Sequence, residues 1–206
     1  MAVWPLQILL FLLGGFAVAM LCFRRKWSSR IINLVLALLW LWMGVVYHLL
    51  HFSRINPAAY FFGAFFILQG LIFLIPGVLK GKLKYEFNMH TRGILGMLLL
   101  FFALVVYPLL SYFFEHRFPY SPTFGLPCPT TIFTFGVLMF LQRRPSWFVY
   151  IIPFLWSLLG FSAALTLGIK EDLGLLVAGL LGTLFLIFGK FKKEGEELRK
   201  DDQLLY

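Results

Sequence analysis

Long apolar runs separated by short basic clusters constrain this chain more than any other feature. Apolar residues run from Val3 to Phe23, Ile31 to Phe52, Ala58 to Leu79, Gly93 to Phe114, Trp147 to Ile169 and Leu173 to Gly189, with a shorter run from Thr130 to Leu141. A helix needs ~20 such residues to cross ~30 Å of hydrocarbon, and six of the runs reach or approach that length. One soluble core cannot absorb them. Of 206 residues, 61% are hydrophobic and only 13% charged, against about 25% charged in soluble domains. With a mean hydropathy of +0.87, the chain has too little polar side chain to cover a water-facing surface. The expected fold is all-α, a polytopic transmembrane helix bundle.

The seventh crossing depends on the short run. From Pro129 to Gln142 it has 14 residues, ~21 Å as a helix. It spans only if Phe124 to Cys128 enters the membrane as non-helical backbone, which is tolerated where protein buries it or it lines a polar cavity. Thr130, Thr131 and Thr134 predict burial of this helix, since threonine hydroxyls bond helix carbonyls or reach across interfaces.

The basic residues supply an independent test. Fifteen of the 18 Lys and Arg fall in alternate connections and the tail: Arg24, Arg25, Lys26 and Arg30; Lys80, Lys82, Lys84 and Arg92; Arg143 and Arg144; and five from Lys190 onward. Arg54, Arg117 and Lys170 alone fall on the other side. The positive-inside bias predicts seven helices with the N-terminus outside and the C-terminus cytoplasmic, in the inner (plasma) membrane, and it requires the fifth run to cross. The spans are expected at 3–23, 31–52, 58–79, 93–114, 127–142, 147–169 and 173–190. They form one bundle over residues 1–190, followed by a charged cytoplasmic tail, 191–206.

Several function classes recede. The net charge of +9 sits in clusters rather than along an amphipathic stripe, so the expected partner is the lipid bilayer with its anionic headgroups, not nucleic acid. Other membrane subunits or a second copy of the chain are the further partners such a bundle admits. The first run is followed, not preceded, by its charges, the reverse of a secretory signal. Cys22 and Cys128 fall at opposite helix ends, too far apart to pair. Retinal is excluded as a cofactor, because the seventh run has no Lys for a Schiff base before Lys190. No run carries a central Asp, Glu, Lys or Arg, which argues against ion-coupled transport. Gly174, Ala178 and Gly182 give one smooth helix face for close packing, within the bundle or between copies.

The residues able to carry chemistry gather on the outer side. His48 and His51, one turn apart, are expected to share a helix face. With His116 and Cys128 they make a candidate transition-metal set, although no compact ligand motif is present. Asp172 precedes the last run as an expected N-cap. The stretch from Pro122 to Thr131 is more specific: prolines stiffen it, Gly125 relaxes one position, and a helix start rich in threonine follows. Its candidate ligand-binding residues are His116, Thr123, Cys128, Thr130 and Thr131, with Gln69 as the strongest polar group at mid-depth; a rigid plug closing the bundle is the structural alternative. No catalytic residue is assigned. The expected role is non-enzymatic, an accessory subunit of a membrane complex or a small-ligand-binding protein with its site at the Pro/Cys loop. A metal-handling protein or membrane enzyme using His48, His51, His116 and Cys128 is the alternative, and a small-solute transporter the third.

Taken together, Trp4-Pro5, Asn56-Pro57-Ala58-Ala59, Gln69-Gly70, Tyr107-Pro108, His116-Arg117, the block from Pro122 to Gly136, Pro153, Trp156 and Glu171-Asp172-Leu173-Gly174 carry a resemblance. The chain resembles a family of bacterial integral membrane proteins classed only as a domain of unknown function. The resemblance extends over nearly everything before the tail and is centred on the Cys128 block. It implies a multi-span protein of the bacterial inner membrane and brings no activity with it.

Overall fold

Seven helices take up the seven apolar runs in a computed structural model that describes residues 4–23, 25–113, 124–167 and 172–191. They are α1 (Trp4–Cys22), α2 (Ser28–Arg54), α3 (Ala59–Leu79), α4 (Thr91–Phe113), α5 (Pro127–Leu138), α6 (Ile151–Leu167) and α7 (Leu173–Phe188). By length and composition, α2, α3 and α4 are long and apolar enough to cross a membrane. The other four apolar helices are shorter. No strand forms among the described residues, and the tail beyond Phe191 lies outside them.

The short helix is the centre of the bundle. α5 is apolar all round, the pattern of a helix buried on every side, and every residue from Thr130 to Leu141 is buried. α4, α6 and α7 touch it, and α2 reaches it through Trp40, whose indole N–H donates to Thr134 Oγ1 at 3.0 Å. Its threonines behave as expected. Thr131 and Thr134 donate to the carbonyls of Pro127 and Thr130 at 2.7 and 2.8 Å, and Thr130 Oγ1 accepts from Gly125 N at 3.2 Å. Glycine opens the closest approach: a Cβ on Gly136 would lie 2.9 Å from Leu100 and 3.1 Å from the carbonyl of Gly96 on α4.

Non-helical chain flanks α5 at both ends. Phe124 is fully buried and its ring meets Phe11 and Phe133 at centroid distances of 5.6 and 5.1 Å. It also lies against Gly14, ten residues and therefore ~15 Å down α1. Gly125, at φ +97°, turns the chain between Phe124 and Pro127, where a side chain would be strained and would strike Leu10. At the other end α5 stops at Leu138 rather than running to Gln142. Residues 140–142 instead pair with the 80–90 connection, Glu86 N donating to Phe140 O at 2.8 Å and Gln142 N to Lys84 O at 2.9 Å.

That connection is pinned by one satisfied polar group. Asn33 of α2 is fully buried; its amide donates to Ser29 O and Leu83 O at 2.7 and 2.9 Å, and its carbonyl accepts from Tyr85 Oη at 2.9 Å. Residues 25–30, 80–92, 140–149 and 188–191 thus gather at one end of the bundle, here called the lysine end.

Three stretches wind as π-helix: Met43–His51 in α2, Phe73–Leu79 in α3 and Phe102–Val106 in α4. Two have a proline as cause. Pro76 and Pro108 lack an N–H and crowd the carbonyls of Ile72 and Leu104, so the wider turn relieves the clash. The α7 face of Gly174, Ala178 and Gly182 turns inward, onto Phe102 and Phe135, and is spent on packing within the chain.

Candidate functional site

Beneath the Pro/Cys loop, five elements bring polar side chains into an otherwise apolar interior. Asp172 occupies the N-cap position of α7 but makes no capping bond. Its carboxylate turns inward instead, only 4% exposed, and accepts a 2.6 Å hydrogen bond from the Tyr107 hydroxyl of α4. The thiol of Cys128, at the start of α5, lies beside the same carboxylate, and the Trp156 indole of α6 lies beside that sulfur. Tyr47 of α2 is within electrostatic range of both Cys128 and Asp172. A hydrogen bond to a buried charge contributes roughly 1.5–3 kcal/mol, so Tyr107 offsets part of the cost of keeping a carboxylate out of water.

His48 also packs against Trp156. It is fully buried, and both ring nitrogens lack a hydrogen-bond partner. Its surroundings are rings: Phe66 at 4.6 Å, Tyr47 at 4.9 Å, Trp156 at 5.4 Å, Phe62 at 5.9 Å and Phe52 at 6.0 Å between centroids. Trp156 Nε1 is buried and faces the Cys128 sulfur. A neutral imidazole offers one donor and one acceptor. His48 therefore presents two unmet polar positions, each costing on the order of 1–3 kcal/mol when left so. A small group that both donates and accepts hydrogen bonds would satisfy them. Asp172 supplies an adjacent negative charge.

The structure separates residues that the sequence grouped. His48 and His51 do not share a face, because the intervening turn is π-helical and wider than an α-turn. His51 is exposed, with Nδ1 2.8 Å from Val46 O. Among the described residues no three of His, Cys, Asp and Glu come together as a metal site. His116 and Thr123 lie outside the described residues. Thr130 and Thr131 are engaged in local bonds at the start of α5. Gln69 is buried away from the cluster, donating through Nε2 to Val149 O at 3.0 Å and tying α3 to the turn before α6, while Oε1 has no partner. Both cysteines are free thiols, Cys22 exposed and Cys128 half-buried.

The sequence grouping left out Tyr47, Tyr107 and Trp156, and it set Asp172 both as an N-cap and among the outer-side carboxylates rather than as the acceptor of Tyr107. The signal was faint. Each is an aromatic with one polar atom inside an apolar run, and such residues serve packing as readily as binding.

Across the chain, residues 1–197 match DUF6064, described as a family of unknown function. No curated protein matches, and no solved structure does.

Proposed function

Because the chain belongs to DUF6064, a family of unknown function, its role must be read from its own geometry, and we propose that it is a multi-pass inner-membrane protein of non-enzymatic type that holds a small polar ligand at the Asp172–Cys128–His48 cluster. The observation that carries this is His48, fully buried with both ring nitrogens unpartnered, packed against Trp156. A stability-only core would fill that place with Phe or Leu. Polar groups retained at a cost inside an apolar bundle mark a site.

The membrane reading draws support from the outward faces, where large hydrophobics such as Leu12 (65% exposed), Phe61 (62%) and Leu98 (60%) meet solvent lipid in place of water. In the proposed topology the N-terminus is outside and the lysine end cytoplasmic, following the positive-inside bias. The ligand cluster then lies toward the outer side. Asp172 starts a helix of 16 residues, ~24 Å long, and so is recessed below a ~30 Å hydrocarbon boundary.

Native mass spectrometry of the protein extracted in mild detergent tests the ligand. The expected result is a non-lipid small molecule retained by the wild type and lost from both His48→Phe and Asp172→Asn, with helical circular dichroism unchanged. A wild type that carries none, and a wild-type signal that both variants keep, each overturn the proposal.

A further inference from the structure

We propose that the groove between residues 80–84 and 143–146 at the lysine end binds the phosphate of an anionic phospholipid headgroup. The proposal rests on the membrane reading above but not on the polar cluster at the opposite end. The groove has a volume of about 490 Å³, and its cationic walls are Lys80, Lys82 and Lys84 on one side and Arg143 and Arg144 on the other. Among the described residues no Asp or Glu lines it. A second groove of about 560 Å³ runs along the other flank of the same segment, sharing Lys80 and Lys84 and adding Arg25, Lys26 and Arg30, with Glu86 as its one acid.

The positive-inside bias asks only that these connections be basic; it does not ask that their cations face one another across a concavity. Here the backbone holds them there. Lys82 N donates to Pro76 O and Gln142 N to Lys84 O, both at 2.9 Å. Asn33 fastens Leu83 and Tyr85. In extended chain successive side chains alternate, so with Leu83 and Tyr85 buried, Lys82 and Lys84 are directed outward together. Lys80, Lys82 and Arg144, brought to one concavity, repel one another, and a phosphate between the two walls converts that repulsion into charge-assisted hydrogen bonds.

The level and shape of the groove favour a lipid as the phosphate's source. Trp27 and Trp147, 58% and 66% exposed, flank the two grooves, and exposed tryptophans favour the headgroup level. The groove lining also includes Pro76, Phe148 and Val149, an apolar portion against which an acyl chain can lie.

The test is thermal unfolding of the detergent-solubilised protein, followed by tryptophan fluorescence, with phosphatidylglycerol, phosphatidylcholine or millimolar inorganic phosphate added. Phosphatidylglycerol is expected to raise the midpoint by roughly 3 °C or more beyond phosphatidylcholine, with the excess lost at high salt. The Lys80→Gln/Lys82→Gln/Arg144→Gln variant is expected to lose that excess. The Lys192→Gln/Lys193→Gln/Lys200→Gln tail variant, with the same loss of charge, is expected to keep it. Equal shifts from the two lipids, or loss of the excess in the tail variant as well, overturn the site. An inorganic phosphate shift as large as that of phosphatidylglycerol overturns the lipid source. Should the groove variant not fold, the wild-type comparison of the two lipids at low and high salt decides alone.

Discussion

At the scale of single residues, His48 and Tyr107 separate binding from stability in opposite directions. His48→Phe removes two unsatisfied ring nitrogens, each costing roughly 1–3 kcal/mol, while the aromatic box keeps a ring of similar shape. The variant is therefore expected to unfold at a higher temperature than the wild type while losing the retained ligand. A lower midpoint in the ligand-free state would show that His48 is held by bonds of its own. Tyr107→Phe removes the 2.6 Å bond to Asp172 and leaves the carboxylate short of a donor, a loss of about 1–3 kcal/mol readable by chemical unfolding. At the lysine end, burial pushes the Tyr85 phenol up from its ordinary value. The sign follows from that shift. The folded state resists ionisation that the unfolded state allows, so this contribution is complete below an ordinary tyrosine pKa of about 10 and is lost as pH rises above it. The wild type is expected to lose more stability than Tyr85→Phe between pH 9 and about 11, measured by unfolding at each pH.

At the scale of elements, α5 sets the packing of everything else. Its twelve residues are too few to cross a bilayer alone, and non-helical chain is buried at both of its ends. The contact between Gly96 and Gly136 lets α4 and α5 approach with backbone nearly touching backbone. Gly136→Val is expected to cost about 1–3 kcal/mol, the range for overpacking a filled core, seen as a lower unfolding midpoint, whereas the same change at Gly15, which has open space around its Cβ position, is expected to be close to neutral. The proline-linked π segments are element-scale features as well. One of them ends immediately before Tyr107, and another stretch of π-helix carries Tyr47 and His48, so widened turns supply two of the helices that form the cluster. π-turns concentrate at functional sites, and here they direct polar side chains inward from helices whose outward faces are apolar.

At the scale of the whole molecule, the proposed topology has a direct chemical test. Cys22 is exposed at the end of α1 and Cys128 is half-buried at the start of α5, so Cys128→Ser leaves one accessible thiol. An impermeant maleimide is expected to label that variant in inside-out vesicles and not in intact cells. Labelling in intact cells would reverse the orientation. Much of the fold was legible in the sequence because helix number and extent follow from one-dimensional properties: run length against bilayer thickness, and the sides on which basic residues fall. The apolar runs predicted seven helices, and seven are present among the described residues. Boundaries moved where side chains intervened. α5 ends at Leu138 because residues 140–142 pair with the 80–90 connection, and α6 starts at Ile151 after a short 3₁₀ turn, Trp147–Val149.

By itself, then, the sequence determined an all-helical chain of seven apolar segments, with a central short helix whose threonines had to be buried and with its basic residues gathered on alternate connections. Each of these follows from composition read along one dimension. Only the tertiary structure decided that Asp172 meets Tyr107 across 65 residues of sequence, that Cys128 and His48 both pack against Trp156, and that His51 turns outward. Those outcomes depend on which helices become neighbours and on how a π-turn rotates one side chain relative to the next. Neither quantity is encoded in local spacing, since a buried polar atom acquires its partners, or fails to, only after the helices around it have packed.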